Sequence, residues 1–206
     1  MPETITTPLA PISAFAGPIG RAHFSADGAV TISERIGLGL ATVTVRKGKL
    51  EALKTALATH YGLELREGAK VSRGNRLVLV GTGPDSWLAV QEAGGWAFAK
   101  ELTAKLSGLA SVADQSSGYG VVRLSGPAAR SVLAKGVPVD LHPSTFRPDD
   151  AAVTLASHIG VILWQEPGET PEKTPVYDIA IFRSFAESFW HWLAESAAEF
   201  GLKKAG

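Results

Sequence analysis

The thirty residues from Asp114 to Pro143, DQSSGYGVVRLSGPAARSVLAKGVPVDLHP, constrain this chain more than any other stretch. Val121, Val122 and Leu124 form a β-branched, apolar run of strand type, and Gly126-Pro127 stops it. Proline cannot donate to a strand ladder but suits the first turn of a helix, so Ala128 to Ala134 is predicted helical, with Val132 and Leu133 turned inward. Gly136 stands where a helix-ending glycine belongs. Pro138-Val-Asp-Leu-His-Pro143 is then pinned between two prolines, each of which keeps the residue before it out of helical space. Strand, tight turn, short helix and rigid polar loop thus follow without a break.

Leu40, Val43 and Val45 mark a strand from Leu38 to Val45. Leu50, Leu53, Leu57 and Tyr61 recur at three- and four-residue steps, one face of a helix over Lys49 to Tyr61 that Gly62 stops. A second strand, Leu77 to Val80, runs into Gly81-Thr-Gly-Pro84 and a short helical run from Asp85 to Val90. Gly94-Gly95 breaks that run before a helix carrying Phe98, Leu102 and Leu106. Leu77-Val-Leu-Val-Gly-Thr-Gly-Pro84 and Val122-Arg-Leu-Ser-Gly-Pro127 both read as a strand that ends in Gly-Pro and opens a helix, a faint internal repeat. Strands near Val153 to Ala156, Ile159 to Trp164 and Val176 to Phe182 follow, interrupted by a hairpin-like excursion from Glu166 to Thr174.

These elements predict an α+β protein of two strand-helix-strand units with mixed, mostly antiparallel sheets, each burying one face under helices. The expected organisation is an N-terminal arm, 1–31, and a single domain, 32–206, made of two lobes at about 32–113 and 114–206. The arm is rich in Pro, Ala, Gly and Thr without periodicity. It is either disordered or an extended segment that orders against a partner through Leu9, Ile12 and Phe15.

In the last helix, Ser184 and Glu187 have the spacing of a capping box. At about 100° per residue, Phe185, Phe189, Trp192, Leu193 and Phe200 share one sector, opposite Glu187, His191 and Glu195. That stripe is expected on the chain's own sheet. Trp190, partly exposed at its rim, is the candidate for contact with another subunit, because aromatics beside a buried face are favoured in interfaces.

Chemistry-bearing motifs are sparse. The chain has no cysteine, which excludes disulfides, thiolate metal sites, iron–sulfur clusters and thiol nucleophiles. Gly81-Thr-Gly83 lacks the third glycine of a dinucleotide loop, and Pro84 removes an N–H that a phosphate would need. The five histidines are scattered, and none joins another ligand in a zinc-type arrangement. Asp140-Leu141-His142 could orient a metal or a proton-transfer pair, or simply hydrogen-bond its own loop. Asp149-Asp150 reads as a solvated turn. Twenty basic residues balance twenty acidic ones, and no basic stripe with interleaved aromatics suggests nucleic acid. The first fifteen residues lack the basic start of a signal peptide, and no apolar run approaches the ~20 residues of a membrane span, so a cytoplasmic location is expected.

The block Asp114–Pro143 resembles the gamma subunit of heterotetrameric sarcosine oxidase, and Arg183-Ser-Phe-Ala-Glu-Ser-Phe-Trp-His-Trp-Leu193 is similar to that family's closing helix. The likeness extends more weakly from about Ile36 to Phe200. It implies a fold similar to the folate-binding domain of aminomethyltransferases. It also implies a non-catalytic structural subunit with alpha, beta and delta subunits as partners. No cofactor would be bound by this chain. FAD, FMN, NAD and tetrahydrofolate would sit on the other subunits of a complex that oxidatively demethylates sarcosine to glycine, giving hydrogen peroxide and 5,10-methylenetetrahydrofolate. Leu9, Ile12, Phe15, Asp140, Leu141, His142 and Trp190 are the candidate interface residues. Two alternatives stay open: the corresponding subunit of an N-methylglutamate dehydrogenase, and a free-standing folate-binding protein of the same fold. The lack of cysteine speaks against the second, since repair-type relatives carry a Lys-Gly-Cys motif.

Overall fold

Apolar residues come in unbroken runs in several strands, and a strand reads that way when both of its faces are covered. The computed structural model describes residues 12–20, 24–168 and 174–204. Along the chain run α1 (Ala16–Gly20), β1 (Val30–Glu34), β2 (Gly39–Val45), α2 (Leu50–Tyr61), β3 (Val71–Arg73), β4 (Val78–Gly83), β5 (Ser86–Gln91), α3 (Phe98–Lys105) and β6 (Ala110–Asp114). Then come β7 (Tyr119–Ser125), α4 (Ala129–Ala134), β8 (Ala151–Ala156), β9 (Ile159–Glu166), β10 (Val176–Phe182), α5 (Ala186–Ala197) and β11 (Leu202–Lys204).

One sheet has the order β3-β4-β5-β2-β6 and is antiparallel throughout. The other has the order β11-β1-β7-β10-β9-β8 and is antiparallel except where β11 runs parallel to β1. The two sheets face each other across a core of Leu40, Val80, Leu88 and Val90 from one side and Val121, Ile162, Trp164 and Ala180 from the other. Outside the first sheet, Leu53 and Leu57 of α2 and Phe98 and Leu102 of α3 pack on Val43, Leu79 and Trp87. Outside the second, Val132 and Leu133 of α4 and Phe189 and Leu193 of α5 pack on Val122, Leu124, Leu163 and Ile179. The order of layers is helix, sheet, sheet, helix, an α+β architecture with mostly antiparallel pairing.

Several expectations need correction. Asp85 to Val90 is not helical: Pro84-Asp85 is a tight turn, and β4 and β5 form a hairpin. Trp87 and Ala89 face the helices while Leu88 and Val90 face the other sheet, so no polar alternation marked the strand. The internal repeat therefore fails in its first half, because only Gly126-Pro127 opens a helix. Gly126 has φ +117, and a Cβ there would lie 2.4 Å from the Ala29 carbonyl oxygen. The second sheet is not built from 114–206 alone, since β1 crosses over to pair with β7. The strands β1, β3, β6 and β11 were not expected.

Gly62 ends α2 in the left-handed conformation as expected. Gly136 does not end α4 that way. Lys135 is the cap, and the missing Cβ of Gly136 makes room for the Trp192 ring. A 3-10 turn over Arg183–Phe185 precedes α5, whose N-cap is Phe185 without a side-chain cap bond, so the Ser184–Glu187 capping box is not the start of this helix. Part of the expected arm is integral to the fold. Phe15 is fully buried, edge-on to Phe189 at 6.4 Å. The middle of the excursion between β9 and β10, residues 169–173, lies outside the described residues.

Candidate functional site

A charged residue in the middle of a buried strand must find a partner. β7 and β10 each contain one. Arg123 and Asp178 stand opposite each other in register and face the neighbouring sheet. Asp178 is fully buried and accepts from Arg123 Nε at 2.7 Å and Nη2 at 2.8 Å, and Arg35, just after β1, donates to the same carboxylate. Hydrogen bonding to Asp178 holds the Arg123 guanidinium above its usual range despite partial burial. Trp164 is the next residue across in the same row, on β9, and its Nε1 donates to Glu166 Oε1 at 2.8 Å.

The other sheet contributes Arg73. Its Nε donates to Asp149 Oδ1 at 2.7 Å, and its Nη2 lies 3.1 Å from Glu166 Oε2 without the alignment of a hydrogen bond. Lys70 pairs with Asp150, by side chain and through a backbone bridge. Val71 N donates to Asp149 O at 2.8 Å. Asp149-Asp150 is thus no solvated turn but a clip that ties the two sheets together. Between these groups lies a cleft of about 520 Å³, with Arg35, Arg73, Arg76 and Arg123 on its walls, Glu92 and Glu166 among them, and Leu77, Val78, Val90 and Trp164 as its apolar floor. Glu92 pairs with Arg35. Arg76 makes no hydrogen bond or ion pair among the described residues.

A second feature lies farther along the same face of the six-stranded sheet. Val153 pairs with Ile162, Leu155 with Gly160 and Phe182 with Tyr119, and alternation places all six on the face that looks toward the other sheet. Val153, Leu155 and Phe182 are 59%, 46% and 46% exposed there, and the Phe182 ring stacks on Tyr119 at 4.5 Å. This end of the face is uncovered, and β8 is the sheet's edge strand.

The residues singled out from the sequence are placed as follows. Leu9 lies outside the described residues. Ile12 is 78% exposed, its carbonyl oxygen accepting from Arg183 at 2.8 Å, whereas Phe15 is in the chain's own core. Trp190 is not partly exposed at a rim: it is 7% exposed, beside Phe24. Asp140 accepts from the His142 N–H at 2.9 Å, His142 Nδ1 meets Ser144 Oγ at 2.7 Å, and Leu141 is buried with its carbonyl bonded to Arg130. That loop holds its own shape. The His142 N–H, and the Thr145 side chain after it, keep the Asp140 carboxyl below the usual aspartate range. The arginine cleft was missed, although a lone Arg in VVRLS and a lone Asp in VYDIAIF were its signal. Among the described residues, no helix is long and apolar enough to cross a membrane, and no group of three or more His, Asp and Glu gathers to hold a metal.

A model of the sarcosine oxidase, gamma subunit family matches residues 48–199. The chain belongs to that family. Two gamma-subunit relatives are a sarcosine oxidase subunit gamma from Arthrobacter sp, 37% identical over 72% of this chain and 70% of its own, and one from Corynebacterium sp. strain U-96, 31% identical over 92% and 90%. Among solved structures, the chain is similar to one in the heterotetrameric sarcosine oxidase from Corynebacterium sp. U-96 in complex with pyrrole 2-carboxylate. The TM-score is 0.75 at 29% identity, over 93% of this chain and 95% of that one. A glycine cleavage system aminomethyltransferase T from Bartonella henselae shares the gamma-family fold at a TM-score of 0.63 and 18% identity, over 87% of this chain and 48% of that one.

Proposed function

We propose that this chain is the gamma subunit of a heterotetrameric sarcosine oxidase and that it docks onto catalytic neighbours without turning over substrate itself. The complex would comprise alpha, beta and delta subunits beside it. It would oxidatively demethylate sarcosine to glycine, with hydrogen peroxide and 5,10-methylenetetrahydrofolate as the other products. FAD, FMN, NAD and tetrahydrofolate would be held by the other subunits.

The observation that carries the docking role is the uncovered apolar end of the six-stranded sheet. Val153 and Leu155 on β8 and Phe182 on β10 are exposed on one face of the sheet, and exposed apolar side chains gathered on one face mark an interaction surface. Its occupant in this proposal is another subunit of the same oxidase, because the gamma-like chain in the similar solved structure is part of a heterotetramer. Ile12, beside Arg183, is a further candidate contact. The Asp140–His142 loop keeps its place as a candidate through its two exposed polar side chains.

The chemistry-bearing side chains support a role without turnover, since they are tied into structure. Asp178 is saturated by Arg123 and Arg35, and Glu166 is held by Trp164 beside Arg73. A pterin presents an edge of N–H donors and needs a free carboxylate or amide facing it. Asp178 and Glu166 are not free to serve and Glu92 is engaged by Arg35, which speaks against tetrahydrofolate in this cleft.

The experiment is affinity purification of the tagged full chain from its native host, with absorbance and peroxide assay of the eluate. Flavin-bearing chains at equal amounts, with sarcosine-dependent peroxide, are expected. Elution of the chain alone, or activity toward N-methylglutamate instead of sarcosine, would overturn the proposal.

A further inference from the structure

The arginine cleft carries an inference that does not rest on the assembly. Four arginines line or back it, and three carboxylates answer them: Asp178 and Glu92 bind Arg35, Asp178 also binds Arg123, and Glu166 lies against Arg73. Asp149, behind Arg73, is answered by Arg66 as well, at 3.7 Å. One positive charge is left, and it belongs to Arg76, which has no acidic partner among the described residues. Arg73 Nη2 is buried against Glu166, but its Nη1 makes no hydrogen bond or ion pair among the described residues and adds a second donor on the same cleft. The floor between them, Leu77, Val78, Val90 and Trp164, is apolar.

Two guanidinium groups with unmet donors over an apolar floor make a site for a planar anion, and a carboxylate matches the guanidinium fork in both shape and charge. A single net positive charge suits a singly charged anion. A phosphate dianion would overshoot it, with Glu92 and Glu166 nearby to repel the excess. The ion pairs across the cleft hold both walls in place before a ligand arrives, and the volume is that of a small-molecule pocket. We infer that the cleft binds a small monocarboxylate with an apolar body, its carboxylate on Arg76 and Arg73 and its body on the floor beside Trp164.

The probe is 4-fluorobenzoate, followed by 19F line broadening, with the Trp164 indole N–H signal of the full chain as a second readout. Arg76 has φ +63, which glycine adopts without strain, so Arg76→Gly removes the charge while sparing the fold. Saturable broadening, a matching Trp164 shift, and about tenfold weaker binding by Arg76→Gly are expected, the loss typical of one charge-assisted contact. An uncharged control, 4-fluorobenzyl alcohol, should leave both signals unmoved. The inference is overturned if the alcohol binds as well as the acid, if Arg76→Gly binds unchanged, or if inorganic phosphate displaces the probe more effectively than benzoate does. In the assembled oxidase, the broadening that Arg76→Gly weakens should persist. Its disappearance on assembly would mean that a partner's own carboxylate fills the cleft, which would overturn the assignment to a free small molecule.

Discussion

Asp178 on β10 lies opposite Arg123 on β7 and receives both arms of its guanidinium, at 2.7 and 2.8 Å, with no part of its side chain exposed. Removing Arg123 leaves the buried Asp178 carboxylate with Arg35 as its remaining partner. Arg123→Met should therefore destabilise the chain by about 2–4 kcal/mol, somewhat below the full cost of breaking a buried pair because Arg123 is 35% exposed. The double variant Arg123→Met, Asp178→Leu should recover part of that loss, because Arg35 gives up Asp178 but keeps Glu92. Urea unfolding of the three proteins checks both statements, and a single variant as stable as wild type would show that the pair is not needed.

β4 demands a bare Cα where it passes the segment leading into β3. A Cβ on Gly81 would lie 1.8 Å from the Gly68 carbonyl oxygen, backbone that cannot move aside without opening the hairpin. Gly81→Ala should cost about 3 kcal/mol or more, in the range of severe backbone clashes. Gly160 has open space where its Cβ would go, so Gly160→Ala should fall within about 0.5 kcal/mol of wild type. Thermal melts of the two variants separate these outcomes.

The layering explains what could be read from the sequence. The amphipathic α2 showed one face because only one of its sides is buried, and Gly62 marked its end with a left-handed residue. β7, α4, β9 and β10 were legible from apolar runs bounded by Gly, Pro and charge. β5 was not, because two sheets and two helices bury it on both faces and erase its alternation. β1 and β11 are held by partners distant in sequence, which no local pattern reveals, and β3, three residues long, is too short to show a period. Trp190 looked like a rim residue on a helical projection, but Phe24 from the N-terminal segment before β1 packs beside it. The cleft is likewise assembled from β3, β4, β5, β7, β9 and the residue after β1, and only the isolated Arg and Asp in apolar strands hinted at it.

The Asp140 loop should respond to acid. Its carboxyl is held below the ordinary aspartate value first by the His142 N–H and then by the Thr145 side chain. A depressed folded value means that its contribution is complete above the unfolded pKa and is lost as pH falls through the folded one. Amide signals of His142 and Thr145 should therefore hold steady down to the usual aspartate range and move only below it. A midpoint at or above that range would contradict the hydrogen bonding seen here, and Asp140→Asn should abolish the transition.

Charge placed on the uncovered sheet end should act on assembly alone. Val153→Glu and Phe182→Glu alter exposed side chains, so each should leave the melting temperature of the isolated chain nearly unchanged. A buried unpaired carboxylate in an interface is costly, so each should weaken capture by the partner subunits at least about tenfold. Size-exclusion chromatography of the mixed subunits reads this directly.

Native mass spectrometry of the oxidase purified from its own host tests the central claim most directly. One copy of this chain beside three other subunits is expected, with every flavin mass remaining on those neighbours when the complex is dissociated in the gas phase. A flavin retained by this chain, or sarcosine turnover by the chain alone, would contradict it.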